Sequence, residues 1–338
     1  MTSENTPLSP QPFWQIMTAF QMSAAMKSAL ELGLFTKIGE GNKTAAEIGK
    51  ACDAAERGVR ILCDTMTVLG FLIKEGNEYT LSEVSAAFLD KNSPMYIGST
   101  IDFIMSPMQM RGFNDLTTAV KQGGSTRRED DSLTEDSEMW VKFARAMAPM
   151  MFPSAQFMAE SLGLDTGAKL KVMDIAAGHG IFGILLAQKY PAAEIYALDW
   201  ANVLTVAQEN AERYSVADRY HQIAGSAFEV DTGDGYDIIL LTNFLHHFDR
   251  STCEAFLKKM HSALADGGQI LTLEFVPNDD RISPPAEALF SLVMLAATPA
   301  GDAYTFAELK GMFENAGFSK NEHRPIPGMP QHWIVSKK

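Results

Sequence analysis

The chain has 338 residues, room for two domains at roughly 100–200 residues each. Its 28 Lys and Arg face 42 Asp and Glu, a net charge of −14. No basic block reverses this locally, so nucleic acid is not an expected partner. A hydrophobic fraction of 46% allows a sizeable core, and no apolar run approaches the ~20 residues that span a bilayer, so no membrane association is expected. The polar, proline-bearing stretch 1–12 does not read as a secretion signal. Three unclustered cysteines, Cys52, Cys63 and Cys253, make no disulfide framework and fit a reducing, cytoplasmic setting.

Residues 13–33 repeat apolar side chains at three and four, which predicts a helix stopping at Gly33. Thr44 and Glu47 have the spacing of a capping box, opening a short helix to about Cys52. A further helix over 56–69 ends at Gly70, and 71–81 reads as a β-hairpin about Gly76-Asn77. Two helices and a hairpin make a winged helix. The helix 56–69 would be the DNA reader, yet it offers only Arg57 and Arg60, so a packing or dimerisation module is the favoured reading.

Residues 102–158 are largely helical and rich in methionine, with a polar loop over 121–136. Such a stripe serves either as core and interface filler or as a pocket for an apolar ligand, because thioethers adapt to shape. A boundary falls at 163–169. Beyond it, strands over 170–175, 194–199, 220–224, 236–242 and 269–275 alternate with helices to 190 and over 203–214 and 252–264. That alternation predicts a doubly wound, Rossmann-like α/β sheet. The expected division is a winged-helix domain over 1–100, a helical connector over 101–162 and a nucleoside-binding domain over 163–338.

The most informative run is Asp174-Ile175-Ala176-Ala177-Gly178-His179-Gly180, a strand leading through a turn of small residues into a helix. Small residues let a ligand approach the backbone, and the helix N-terminus adds N–H donors. A dinucleotide turn wants a glycine where Ala176 stands, and Asp174 would repel a pyrophosphate. A carboxylate there suits the ammonium and sulfonium of S-adenosylmethionine better than NAD. Twenty-five residues on, Asp199 ends the second strand and can accept hydrogen bonds from ribose hydroxyls, with Trp200 beside it. Ser226, Ala227 and Phe228 follow the third strand, where the adenine is expected, although Phe228 also reads as core. Asn243 and His246 follow the fourth strand, near where a transferable methyl must sit.

At these residues the chain resembles the small-molecule O-methyltransferases that carry an N-terminal winged-helix dimerisation domain, a group containing the caffeic acid and acetylserotonin enzymes and many bacterial natural-product enzymes. The resemblance runs from Phe13 to the C-terminus. It implies S-adenosyl-L-methionine as cofactor, a homodimer through the N-terminal domain, His246 as catalytic base and Glu274 as the carboxylate orienting it. The chain departs from the family pattern at His247 (Asp in the family), Phe248 (Trp), Ser226 (Asp), Thr242 (Lys) and Ala303 (a second Glu), with Asp302 one residue from the last.

The chemistry asks for little beyond alignment and a base. A phenol is mostly protonated at neutral pH, and an imidazole titrates in the right range to accept its proton. A structural histidine at a strand end is the alternative for His246, and His247 and His179 read as structural or pocket-lining. The acceptor pocket is expected to draw on Phe143, Met147, Met150, Phe290 and Met294, with Trp140, Met151 and Asn243 nearby. Such a lining suits an aromatic acceptor, although each residue also reads as core. No convergent oxygen set points to magnesium, so no metal is expected. Three readings stand: an O-methyltransferase, an N- or C-methylating or inactive relative on the same scaffold, and a nucleoside-sensing DNA-binding regulator.

Overall fold

The computed structural model describes residues 8–125 and 138–338. They form two compact units that divide between Ile101 and Asp102. In the first unit, α1 (Gln11–Glu31), α2 (Leu34–Gly39), α3 (Ala45–Ala51) and α4 (Glu56–Val68) precede the hairpin β1 (Leu72–Glu75) and β2 (Glu78–Leu81) and then α5 (Glu83–Phe88). The capping box is present: Thr44 Oγ1 accepts from the Glu47 amide at 3.3 Å, and Glu47 accepts from the Thr44 amide at 2.9 Å. Val59, Cys63 and Met66 of α4 are buried with Phe35, Leu72 and Tyr79 in one core. Arg60 pairs with Asp64 at 2.9 Å, and Asp64 also receives Lys74 at 2.6 Å and the Tyr79 hydroxyl at 2.7 Å. The helix that a DNA-reading winged helix would have used thus spends one of its two arginines internally, in keeping with the favoured packing role. Along α1, Phe13, Trp14, Ile16, Met17 and Phe20 are all more than half exposed.

The second unit begins with the short helices α6 (Ile101–Ile104), α7 (Pro107–Asn114) and α8 (Leu116–Gln122), followed by the long α9 (Glu138–Ser161). The polar loop expected over 121–136 falls mostly outside the described residues. Then come β3 (Lys171–Ile175), α10 (Ile181–Lys189), β4 (Glu194–Asp199), α11 (Ala201–Arg213), β5 (Tyr220–Ala224), β6 (Tyr236–Thr242), α12 (Arg250–Ala263), β7 (Leu264–Phe275), α13 (Pro285–Ala297), α14 (Phe306–Asn315), β8 (Lys320–Pro325) and β9 (Gln331–Lys337). The segment read as a connector packs within this unit: Met147, Met151, Ala155 and Met158 of α9 share a core with α10 and the sheet.

The sheet order is β5-β4-β3-β6-β7-β9-β8, with β3 to β7 parallel and β9 and β8 antiparallel. The chain reverses direction of winding between β3 and β6, and the crevice above their C-terminal ends is where such sheets bind ligands. Two features were not read from sequence. β7 starts at Leu264 because a register shift between Tyr236 and Ile238 absorbs the residues before Gln269. The β8–β9 pair has charged, partly exposed residues on β8, since an edge strand faces water and carries no hydrophobic alternation.

The loop after β3 depends on close packing. Gly180 has φ +72°, and a Cβ there would lie 2.5 Å from the Tyr220 hydroxyl and 3.0 Å from Ala207. Gly180→Ala combines backbone strain with a steric clash. It is expected to lower stability in urea unfolding by about 1–3 kcal/mol, with an unchanged m-value.

Candidate active site

Four strand ends converge on the crevice. After β3 the chain turns sharply through Ala176 (φ +50°), Gly178 (φ +57°) and Gly180 into α10. Asp199, the last residue of β4, braces this turn. One of its oxygens accepts from the Gly178 amide at 2.8 Å and the other from the Trp200 amide at 2.7 Å. Burial pushes the Asp199 carboxyl up to about 6, and the two amides oppose that rise. A Cβ at Gly178 would meet only the Ala176 carbonyl, at 3.8 Å, so the outer face of the turn is open to a ligand.

Asp174 takes a different seat from the one expected for greeting an ammonium group. It is 1% exposed, points to the same sheet face as Val172, and accepts from the Gly183 amide of α10 at 3.2 Å. A Cβ on Gly183 would stand 3.0 Å from that carboxyl, so the glycine makes room for it. Burial drives Asp174 up to about 8, which leaves it protonated at neutral pH. His179 is likewise buried, at 5% exposure. Its Nδ1 accepts from the Ile181 amide at the start of α10 at 3.2 Å, and burial lowers it to about 4.

After β5, Ser226 is half-buried, Ala227 is buried and Phe228 is 41% exposed. Phe228 stacks with Phe244 at 6.0 Å and meets Phe248 and Phe256 at 5.0 and 5.1 Å. These rings form an apolar cluster beside the loop after β5, with Phe228 partly open to solvent. Lys259, on α12, holds the loop by donating to the carbonyls of Ala227 (2.8 Å), Phe228 (3.2 Å) and Val230 (2.9 Å). Sequence reading missed it, because a lysine on an amphipathic helix reads as solvated. Trp200 packs with Ala144 and Val203, tying α9 to α11.

After β6, Asn243 adopts φ +51° and a short 3-10 turn carries Leu245 to His247. His246 is 4% exposed and Glu274 2%. His246 Nδ1 lies 2.5 Å from Glu274 Oε2, while Oε1 accepts from the amides of Phe244 (3.1 Å) and Leu245 (2.8 Å). An ionised carboxylate makes Nδ1 the protonated nitrogen and leaves Nε2 with a lone pair. The His246 ring meets Phe290 edge-on at 4.9 Å, and Phe290 stacks on Phe275 at 3.8 Å. His247 meets Trp140 edge-on at 5.8 Å and is held well below the usual histidine range by burial and by His246.

Of the other expected pocket residues, Met294 (4% exposed) and Met147 (7%) are buried, and Met150 and Phe143 are half-buried. Phe143 packs against Phe103 at 4.8 Å and Trp140 at 5.7 Å. The Asn243 amide donates to the Met151 sulfur at 3.6 Å. Ala303 is fully buried, and the Asp302 carboxylate turns to Arg281 at 3.0 Å, which also holds Glu308. No second acid therefore reaches His246 from that segment. Gly301 lies directly against the backbone of His246 and His247, where a Cβ has no room. Among the described residues, no group of three or more His, Cys, Asp or Glu could hold a metal ion.

Residues 113–319 match the profile of the O-methyltransferase domain, and residues 14–91 match the O-methyltransferase dimerisation domain. The chain belongs to the O-methyltransferase family. Similar proteins include a 3-hydroxy-5-methyl-1-naphthoate 3-O-methyltransferase from Streptomyces sahachiroi, 27% identical over 92% of this chain and 90% of that one. A Nostoc punctiforme structure with a provisional O-methyltransferase assignment is 50% identical, with a TM-score of 0.93 over 98% and 100% of the two chains. Human N-acetylserotonin methyltransferase in complex with SAM, at 22% identity, shares the fold with a TM-score of 0.85 over 100% and 99%.

The seating of Asp174 in this O-methyltransferase carries a pH signature. The folded carboxyl holds a proton, up to about pH 8, that the unfolded chain has already lost, so this group costs stability as pH rises through that window. Asp199, pushed up to about 6, and the unfolded-state titration of His179 still contribute near pH 6.5, so the Asp174 contribution is read as the difference between wild type and Asp174→Asn. Between pH 6.5 and 8 the cofactor-free protein should lose about 1–2 kcal/mol from Asp174, and Asp174→Asn should remove that slope from the thermal unfolding profile.

Proposed function

We propose that this chain transfers the methyl group of S-adenosylmethionine to a hydroxyl of a small aromatic acceptor, with His246 as general base. The observation that carries the reading is the buried His246–Glu274 pair at the end of β6, on the same crevice as the nucleoside turn.

The residues fit the cofactor. Asp199 retains acceptor capacity for ribose hydroxyls beyond its two amide bonds. Gly178 and Ala176 allow close approach beside Gly180, and Trp200, Ser226, Ala227, Phe228 and Asn243 border the space for the nucleoside and the methionine portion. Asp174 acts one layer below, by seating α10 against β3. When bound, S-adenosylmethionine supplies an electrophilic methyl group on a sulfonium that is a good leaving group.

The chain's own residues then have three tasks. Phe290 and Met294, with Phe143, Met147 and Met150, enclose an apolar acceptor and exclude water. His246 Nε2 accepts the hydroxyl proton as the oxygen attacks. Glu274 keeps the proton of the ring on Nδ1 and stabilises the imidazolium that results, while its bonds to the Phe244 and Leu245 amides hold the turn in place. The exposed apolar face of α1, within the stretch matching the dimerisation domain, supports a homodimer. Unpaired cysteines support a reducing cytoplasm as its setting.

His246→Gln should lower kcat by about 10²- to 10⁴-fold while the affinity for S-adenosylhomocysteine, read by calorimetry, stays within about twofold. An unimpaired variant would sink the assignment of the base. Asp199→Ala should abolish calorimetric binding of the cofactor; retained binding would place the ribose elsewhere. The double change Ile16→Asp with Phe20→Asp should convert a dimer into a monomer in sedimentation experiments.

A further inference from the structure

Two amides from different strand ends meet on one sulfur. Gln331 opens β9, which runs antiparallel to β7, so it stands directly opposite Phe275 at the crevice end of the sheet. Asn243 follows β6 at the same end. Met151 of α9 accepts from Gln331 Nε2 at 3.8 Å and from Asn243 Nδ2 at 3.6 Å. Gln331 is 0% exposed. Among the described residues, neither Gln331 Oε1 nor Asn243 Oδ1 has a hydrogen-bond partner, and both oxygens are sealed from solvent.

The pair is costly as core. A thioether is a weak acceptor and cannot donate, so the sulfur leaves both carbonyl oxygens unserved. Turning either amide over would set an oxygen against the sulfur and strand an N–H instead. A leucine or methionine in the place of Gln331 would avoid the penalty of an unpaired buried polar atom. The two amides also belong to the acceptor side. Phe275, the ladder neighbour of Gln331, stacks on Phe290, and Phe290 packs on His246. Asn243 lies three residues before His246 on the same turn. Neighbours therefore run from His246 through Phe290, Phe275, Gln331, Met151 and Asn243 back to His246, and this ring frames the space proposed for the acceptor.

Building on the proposed function, we infer that Gln331, with Asn243, is a specificity-determining residue that binds a second hydroxyl of the acceptor. The acceptor class is an aromatic diol, with one hydroxyl at His246 and the other, on the remote edge of the ring system, between the two amides. The Met151 sulfur marks the seat. A thioether adapts its shape readily, and a hydroxyl that displaces it can donate to one carbonyl oxygen and accept from the other amide's N–H. A methyl ether cannot donate and a bare ring edge can do neither, so both leave buried oxygens unpaired, which is how a polar site rejects an analogue.

The test uses three two-ring probes, since Gln331 lies beyond the Phe275 ring as seen from His246: 2,7-dihydroxynaphthalene, 7-methoxy-2-naphthol and 2-naphthol. Each is titrated calorimetrically into the protein saturated with S-adenosylhomocysteine. The diol should bind about tenfold or more tightly than either of the others. Gln331→Met should collapse that preference to within about twofold. Ser336→Ala, which removes another unpartnered buried hydroxyl from the opposite face of β9, should preserve it. Without ligand, Gln331→Met should melt at or above the wild-type temperature, because the unpaired oxygen is gone. S-adenosylhomocysteine binding reports that each variant is folded. Equal binding of the three probes to wild type, no binding of any, a retained preference in folded Gln331→Met, its loss in Ser336→Ala, or a lower melting temperature for Gln331→Met would overturn the inference. Those results leave the methyltransferase reading standing, because cofactor binding and the effect of His246→Gln are read separately. Failure of S-adenosylhomocysteine to bind at all would remove both.

Discussion

The Glu274 carboxylate takes three hydrogen bonds from three consecutive residues of the turn after β6: the amides of Phe244 and Leu245 and the imidazole of His246. A buried carboxylate needs such compensation, since desolvation otherwise drives it to bind a proton. The same three bonds fix the path of the turn, place Asn243 in a left-handed conformation and choose the tautomer of His246. Everything proposed for the acceptor side follows from this one constraint. Phe290 packs on the ring so fixed, and Gly301 closes on its backbone.

The cofactor side rests on packing instead of charge. Gly183 makes room for Asp174, Gly180 makes room for the Tyr220 hydroxyl, and both let α10 lie close to β3. Asp199 ties the loop to the neighbouring strand end through the Gly178 amide. Lys259 does the same for the loop after β5 by gathering three carbonyls. A rigid floor with an open outer face is what a nucleoside site requires, because ordering costs are then met by folding and not by binding.

Much of this was legible along the chain. The capping box at Thr44 and Glu47, the hairpin, and the strands ending at Ile175, Asp199 and Thr242 lie where periodicity and turn residues put them. The family pattern led to the His246–Glu274 pair across 28 residues of sequence. Other features left no local trace. Asp174 reads the same whether it faces a ligand or lies under a helix, since only strand parity and the position of Gly183 decide. Asp302 looked able to stand in for a missing acid, but Arg281, 21 residues away, holds it outward. The edge strand β8 carries charges that hide its strand character.

The sequence by itself determined the doubly wound sheet, the helical first unit, the tight turn after β3 and the identity of the family, because each is written in local periodicity or in a short run of residues. The tertiary structure decided which side chains are sealed, which are paired and which are left without a partner. Those are properties of groups far apart in the chain, and burial sets the charge each of them carries. Asp174 shows the difference: in sequence it is one more acid near a strand end, and only packing under α10 buries it against the Gly183 amide.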